Sequence, residues 1–259
     1  MIFETHAHYD DEKFDGDRAA LLASLPAKGI ERVINVGAEY QGCLDSVELA
    51  ETYHHVYAAI GIHPSNISDL TEEVFDWLWE KSAWEKTVAI GEIGLDYYWD
   101  KEPAVQQAQR EAFVRQLKLA KETGLPVIIH SRDAAEDTMR LMKEQHAEQI
   151  PGVVHCYSYS KEMAREFVKM GYYIGVGGVV TFKNAKKLKE TVADLGLEHI
   201  LLETDCPYMA PEPHRGSRND STNIPYVVQT ISQLTGQDPQ TVEAITWENA
   251  CRLFPKVKC

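Results

Sequence analysis

The feature that most constrains this chain is a regular alternation between short apolar runs and longer amphipathic stretches. The runs predict eight β-strands, at 2–6, 32–36, 56–60, 87–90, 127–130, 153–155, 172–176 and 200–204. The clearest helix is predicted over 104–123, where Phe113, Leu117 and Ala120 share one face. The run 127–129 is apolar on both faces, which is typical of a parallel sheet covered by helices.

Eight strand–helix units predict a single α/β domain, a closed (β/α)8 TIM barrel over residues 1–259. Such barrels typically need about 250 residues, and a hydrophobic content of 44% is enough to bury a large core. The alternative is an open doubly wound sheet, but its Gly-x-Gly-x-x-Gly phosphate turn is absent after the first strand. No linker-like stretch divides the chain, and 224–259 is interpreted as helices that follow the eighth strand.

Residues that bind metals stand at the ends of the predicted strands. His6 and His8 end the first strand two residues apart, so their side chains point to the same face. Four further candidates follow later apolar runs, namely Glu92, His130, His155 and Asp205. The carboxyl ends of the strands carry the catalytic groups in TIM barrels. Four histidines, one glutamate and one aspartate on that rim are enough for two metal ions bridged by a carboxylate.

Other side chains on the same rim are candidates for holding substrate. His63 and Arg132 follow the third and fifth strands and would reach a phosphate. The alternatives are a loop hydrogen bond for His63 and a salt bridge to Asp133 or Asp96 for Arg132. Arg215 and Arg218, in the loop after the eighth strand, are predicted to add phosphate contacts. Glu203 shares a strand face with Asp205 and is interpreted as a deeper carboxylate that orients a ligand and faces Glu4.

Aromatic residues also follow the strands that carry the candidate ligands. They are Tyr97, Tyr98, Trp99, Tyr157 and Tyr159. Two interpretations stay open, because such rings either stack on nucleobases or pack over the mouth of the barrel.

Charge and cysteine content exclude several classes of protein. A net charge of −14 argues against a broad basic nucleic-acid-binding face, although it leaves room for one small cationic site because exposed charges are screened beyond about 8 Å. No apolar run approaches the roughly 20 residues that span a bilayer, and the N-terminus lacks a secretion signal.

The five cysteines contain no Cys-x-x-Cys pair, and their odd count argues against a disulfide framework. We expect Cys156 and Cys206, which directly follow ligands, to turn away from the site. A cytoplasmic protein without membrane contact is expected.

Six segments together resemble the TatD-type deoxyribonucleases of the amidohydrolase superfamily. They are Glu4-Thr5-His6-Ala7-His8, Gly61-Ile62-His63-Pro64, Gly91-Glu92-Ile93-Gly94-Leu95-Asp96-Tyr97, Pro126-Val127-Ile128-Ile129-His130-Ser131-Arg132, Val154-His155-Cys156-Tyr157 and Glu203-Thr204-Asp205-Cys206-Pro207. Two departures are visible. The family commonly has Asp where this chain has Glu4, and many members of the wider superfamily carry a carboxylated lysine where this chain has Glu92.

The resemblance implies a hydrolase that uses two divalent metal ions to cleave phosphodiester bonds. The family typically degrades DNA from an end, so single-stranded or frayed DNA is the expected substrate and a 3′–5′ exonuclease the expected activity. Carried over by position, one metal belongs to His6, His8 and Asp205, and the other to His130 and His155. Glu92 would bridge the two metals. Asp205 is also suited to act as the general base, because it reaches both a metal and the attacking water.

Several alternatives stay open at this point. The same fold and metals also suit a hydrolase of a small ester, amide or phosphoester, since neither determines the substrate. A non-enzymatic metal-binding protein is a third reading. The metal is Mg²⁺, Mn²⁺ or Zn²⁺, because such ligand sets accept several ions. Oligomeric state and polarity of attack are not encoded in these motifs, and a monomer is compatible with them.

Overall fold

The computed structural model describes residues 1–259 and contains one eight-stranded parallel sheet. Its strands are β1 (Ile2–Ala7), β2 (Ile30–Val36), β3 (Val56–Ile60), β4 (Thr87–Asp96), β5 (Val127–Arg132), β6 (Gly152–Val154), β7 (Tyr172–Val176) and β8 (Ile200–Leu202). Each strand pairs with the next one in sequence. A parallel bridge between Ala7 and Cys206 joins the two ends of the sheet. The predicted (β/α)8 TIM barrel is therefore confirmed.

Nine α-helices accompany the strands. They are α1 (Arg18–Ser24), α2 (Tyr40–Thr52), α3 (Glu72–Ser82), α4 (Pro103–Thr123), α5 (Ala135–Glu144), α6 (Lys161–Lys169), α7 (Lys186–Leu195), α8 (Ile224–Thr235) and α9 (Pro239–Leu253). The last two follow β8, as expected for 224–259. Helix α4 starts one residue before the predicted position, because Pro103 is well tolerated in the first turn of a helix.

Six of the eight strands have bounds that differ from the predicted ones, and two of these differences, in β4 and β8, affect the site. The fourth strand continues to Asp96 instead of stopping at residue 90, because Ile93–Asp96 pair with Ile129–Arg132 beyond an irregularity in the register. The eighth strand stops at Leu202 instead of residue 204. The chain then leaves the sheet, and Asp205 adopts the left-handed backbone conformation, with φ of 58°.

The core lies on both sides of the barrel wall. Strand residues that point outward pack with the helices in a cluster of 52 buried residues. Inward-pointing residues such as Ile34, Ala59, Ile128 and Leu201 belong to a second cluster of 14, which also contains Phe254 from the chain end. The amino-terminal end of the barrel is thus filled by apolar side chains, which leaves the carboxyl end for polar groups.

A disulfide bond links Cys251 in α9 to Cys259. The other three cysteines, Cys43, Cys156 and Cys206, are free. This bond is a single local crosslink and not a disulfide framework. The prediction made from the number of cysteines did not include it. No helix is long and apolar enough to cross a membrane.

Candidate metal centre

The six predicted ligands lie together at the carboxyl end of the barrel. His6, Glu92 and His130 belong to β1, β4 and β5, whereas the remaining three stand one or a few residues beyond their strands. They come from five strands spread around the barrel. The parallel arrangement brings their side chains to one end, as it does in TIM barrels generally.

One half of the cluster is formed by the two histidines of β1 and its extension. The Nε2 atoms of His6 and His8 lie 3.1 Å apart. Oδ1 of Asp205 is 3.4 Å from Nε2 of His8 and 3.8 Å from Nε2 of His6. Oε2 of Glu92 is 3.4 Å from Nε2 of His6 and completes this half.

The other half faces the second oxygen of the same glutamate. Oε1 of Glu92 is 2.7 Å from Nδ1 of His130 and 2.6 Å from Nε2 of His155. These two ring nitrogens are 3.2 Å apart. The carboxylate of Glu92 therefore presents one oxygen to each half of the cluster.

Hydrogen bonds behind two of the rings determine which nitrogen faces the cluster. Nδ1 of His8 donates to the carbonyl oxygen of Val36 at 2.8 Å. Nε2 of His130 donates to Oδ2 of Asp96 at 3.1 Å. In the neutral rings the opposite nitrogen therefore carries a free lone pair aimed at the other ligands, as in metal-binding histidines generally.

The charges in the cluster are strongly coupled. Burial raises the pKa of Glu92, but the imidazoles of His155, His63 and His130 outweigh this effect and hold the pKa well below its usual range. Burial lowers the pKa of His8, yet Asp205 and Glu92 raise it to about 10. For His130, Asp96 and Glu92 likewise overcome the effect of burial and raise the pKa to about 9. Without metal, protons on these rings balance the buried carboxylates.

This donor set fits divalent metal ions. Two imidazole nitrogens bound to one ion at about 2.0–2.1 Å stand roughly 3 Å apart, which matches the separations of 3.1 Å for His6 and His8 and 3.2 Å for His130 and His155. Nitrogen and carboxylate ligands without thiolates suit Zn²⁺, Mn²⁺ and related ions.

A third carboxylate lies behind the rings. Glu203 is buried, and its Oε1 is 4.0 Å from Nδ1 of His155. A Cβ atom at position 175 would lie 2.3 Å from Oε2 of Glu203, so Gly175 provides the space for this side chain. The expected contact with Glu4 is not present, because Glu4 instead accepts hydrogen bonds from Thr204 and Ser221. Glu203 thus faces a ligand histidine, with a different neighbour from the one predicted.

A cleft of about 1140 Å³ opens above the cluster, and both His63 and Arg132 line it. The backbone N–H of Ser65 donates to Nδ1 of His63 at 3.1 Å. Nε2 of His63 therefore carries the proton in the neutral ring, and it lies 3.7 Å from Oε1 of Glu92. Neither Asp133 nor Asp96 forms an ion pair with Arg132, although both neighbours also border the cleft.

The two arginines of the loop after β8 lie elsewhere. The Nη1 and Nη2 groups of Arg218 donate to the two carboxylate oxygens of Asp17, at 2.6 and 2.7 Å. Arg215 stacks on the ring of Phe182, 4.2 Å from its centroid. Neither arginine lines the cleft.

Sequence reasoning missed the role of Asp96 and misplaced Cys156. Asp96 stands four residues after Glu92, and side chains at this spacing lie on the same face of a strand. A fourth strand predicted to extend to residue 96 would therefore have placed Asp96 beside Glu92. Cys156 borders the cleft instead of turning away, because its φ of 44° breaks the alternation of a strand. Cys206 is fully buried, as expected for a residue that points away.

Fold and site together define a TIM-barrel metal-dependent hydrolase. The family model described as TatD related DNase matches residues 3–255, and the chain belongs to this family. The chain is 46% identical to YabD, an uncharacterized metal-dependent hydrolase of Bacillus subtilis, over 98% of this chain and 99% of that protein. It is 34% identical to the uncharacterized metal-dependent hydrolase TatD of Mycobacterium tuberculosis, over 98% and 97% of the two chains. The crystal structure of YjjV, a TatD homologue of Escherichia coli, superimposes with a TM-score of 0.90 and 32% identity, covering 98% of both chains.

Proposed function

We propose that this hydrolase binds two divalent metal ions and cleaves phosphodiester bonds of single-stranded DNA from an end. The observation that carries the proposal is the position of Glu92, whose two carboxylate oxygens face two separate sets of ligands. One carboxylate between two sets of imidazoles is the arrangement that two neighbouring cations require.

Each half of the cluster would hold one ion. His6, His8 and Asp205 would hold the first, His130 and His155 would hold the second, and Glu92 would contribute to both. Bound divalent ions polarise a phosphoryl oxygen and make water a stronger nucleophile at neutral pH. The protein sets the distance between the two sets of ligands. It also shields the base of the site from solvent, because His6, Glu92 and His155 are buried.

Asp205 is the residue placed to take a proton from the attacking water. Its Oδ1 faces His6 and His8, whereas no side-chain hydrogen bond engages Oδ2. Burial raises the pKa of this carboxyl, but the hydrogen bond with His8 and the nearby imidazoles outweigh it and lower the pKa. Asp205 is therefore ionised at neutral pH, as a general base must be.

The lining of the cleft contains a few basic side chains and many acidic ones, which favours a strand end as substrate. Arg132 and the Nε2–H of His63 can donate to phosphate oxygens on one side. The segments after β1 and β2 contribute an acidic wall, namely Asp10, Asp11, Glu12, Glu39 and Asp45, and Asp96 and Asp133 also line the cleft. A polyanion that continued across this acidic wall would be repelled, so a terminal phosphodiester fits the cleft better than an internal one.

Metal titration and a substrate panel test this proposal. Protein stripped with a chelator is titrated with Zn²⁺, Mn²⁺ and Mg²⁺, and the bound metal is determined by elemental analysis. Each form is then assayed on end-labelled single-stranded DNA, RNA, a small phosphodiester and an amide.

We expect saturation at two ions per chain and progressive shortening of the DNA from one end. Saturation at one ion would contradict the bridging role of Glu92. Turnover of the amide or the small ester without any cleavage of DNA would assign the site to a small-molecule hydrolase instead.

A further inference from the structure

Two exposed aromatic side chains stand at the edge of the cleft without a role in the chemistry described above. Tyr98 and Trp99, in the loop after β4, are 43% and 67% exposed. Their ring centroids are 4.7 Å apart and their planes nearly perpendicular, at 85°. Both rings line the cleft above the metal centre. Large exposed aromatic surface at the mouth of a site is typical of a ligand contact.

Arg132 lies against these rings with an uncommitted charge. Its guanidinium carbon is 4.1 Å from the centroid of Tyr98 and 5.5 Å from that of Trp99. Six other arginines form ion pairs with carboxylates, and they are Arg18, Arg110, Arg115, Arg140, Arg165 and Arg218. Arg132 forms none, although the chain carries a net charge of −14. Its planar donors therefore stay available for an anion in the cleft.

Asp96 holds this group at a defined place beside the metal centre. Its Oδ1 accepts the backbone N–H groups of Tyr98 and Trp99, each at 3.0 Å. Its Oδ2 accepts the Nε2–H of the ligand His130 at 3.1 Å. One carboxylate thus contacts both a proposed metal ligand and the backbone that carries the two aromatic residues, which fixes this backbone beside the metal centre.

We infer that Tyr98, Trp99 and Arg132 form a nucleotide seat, in which Arg132 binds a phosphate and the face of Trp99 stacks on the adjoining nucleobase. This inference rests on the proposed function and names the part of the substrate that the cleft recognises. The guanidinium matches phosphate geometry, and an aromatic face accepts every base because each base has a π-face. The seat would make cleavage depend on the presence of a base and not on its identity.

The nucleotide seat is tested by combining two changes, the removal of one base from the substrate and the substitution of Trp99 in the protein. Single-stranded oligonucleotides carry one abasic residue at each of the first three positions from either end, and kcat/KM is measured with the metal-loaded wild type and with Trp99→Ala. Trp79→Ala is the matched control, because Trp79 is 47% exposed on α3 and does not line the cleft. Stacking contributes roughly a 5- to 100-fold effect per base.

For the wild type we expect removal of the base at one position to lower kcat/KM by roughly 5- to 100-fold. Trp99→Ala should show a similar loss on the intact strand and no further loss on the abasic one, whereas Trp79→Ala should behave like the wild type. An abasic penalty that is equal in Trp99→Ala and the wild type would overturn the seat and leave the proposed function in place. Failure of the metal-loaded wild type to cleave any oligonucleotide would overturn both.

Discussion

Glu92 buries a carboxylate among five histidine side chains, each with a ring nitrogen within 3.8 Å of one of its oxygens. A buried carboxylate is costly unless it is paired, and here four of the five pairing groups are the proposed metal ligands. We therefore expect the charge of Glu92 to matter more for the function of the site than for the stability of the fold. An amide of the same shape keeps the volume but removes the charge that two cations share.

Replacing the acidic ligands by their amides should abolish activity without unfolding the protein. We expect Glu92→Gln and Asp205→Asn each to lower kcat/KM at least about 100-fold, the usual contribution of a charged group that takes a proton or holds a metal. Glu92→Gln should also reduce the bound metal below that of the wild type. Activity, metal content and melting of the metal-free proteins are measured together.

The matched controls for these amides are Glu85→Gln and Asp76→Asn, which alter exposed carboxylates outside the cleft. Both should retain wild-type turnover. A folded Glu92→Gln or Asp205→Asn variant with near-normal turnover would show that the assigned roles are wrong.

At the scale of secondary structure elements, β4 decides the geometry of the site. Its last residues carry Glu92 and Asp96 past the point where β3 ends, and they pair with the segment of β5 that carries His130. Gly94 makes the close approach of the two strands feasible. A Cβ atom there would lie 1.9 Å from the carbonyl oxygen of His130, and the φ of 147° is rarely adopted by other residues.

Gly94→Ala should therefore disturb both the fold and the metal centre. Overpacking costs about 1–3 kcal/mol, which corresponds to a fall of roughly 2–12 °C in Tm for a domain of this size. Displacement of β4 from β5 should also weaken metal binding by Glu92 and His130. Thermal melting of the metal-free protein and metal titration measure the two effects.

Gly16→Ala is the control for this change, because a Cβ atom at that position would meet no atom within 4 Å. If Gly94→Ala melted and bound metal like Gly16→Ala, the close contact between β4 and β5 would not matter to the site.

At the scale of the whole molecule, the question is how an acidic protein would bind DNA, the proposed substrate, which is itself a polyanion. The net charge is −14, and one wall of the cleft is lined by carboxylates. Arg132 and His63 are the basic side chains that line the cleft beside the ligand histidines. In the proposed function, DNA would therefore be held by the metals and by a few phosphate contacts, without an extended basic groove.

Binding to DNA should accordingly depend only weakly on salt. Each phosphate neutralised on a single strand contributes about 0.7 to the slope of log affinity against log salt, so one to three contacts give roughly 1–2. Binding of the metal-loaded Asp205→Asn variant to single-stranded DNA is measured across a salt series. Active protein should also degrade linear single strands faster than circular ones.

Either of two results would show that the proposed mode of binding is incorrect. A salt slope well above 2 would reveal an extended groove of basic contacts. Cleavage of circular strands as fast as linear ones would reveal attack within the strand.

The barrel and the clustering of the six candidate ligands follow from the sequence alone, because both depend on local patterns. Apolar runs at regular spacing predict the strands, and a polar residue directly after each run falls at the carboxyl end of a parallel sheet. The predicted strand boundaries were wrong where the strand pattern of the local sequence is ambiguous. Gly91 and Gly94 weaken the strand pattern of β4, and only pairing with β5 shows that the strand continues to Asp96.

The tertiary structure decided which partners these side chains find. It placed one oxygen of Glu92 against His6 and the other against His155. It also paired Arg218 with Asp17, 201 residues away in sequence, while leaving Arg132 free beside the metal centre. Such choices depend on distances between segments far apart along the chain, and these distances are set only when the barrel closes and its strands take their register.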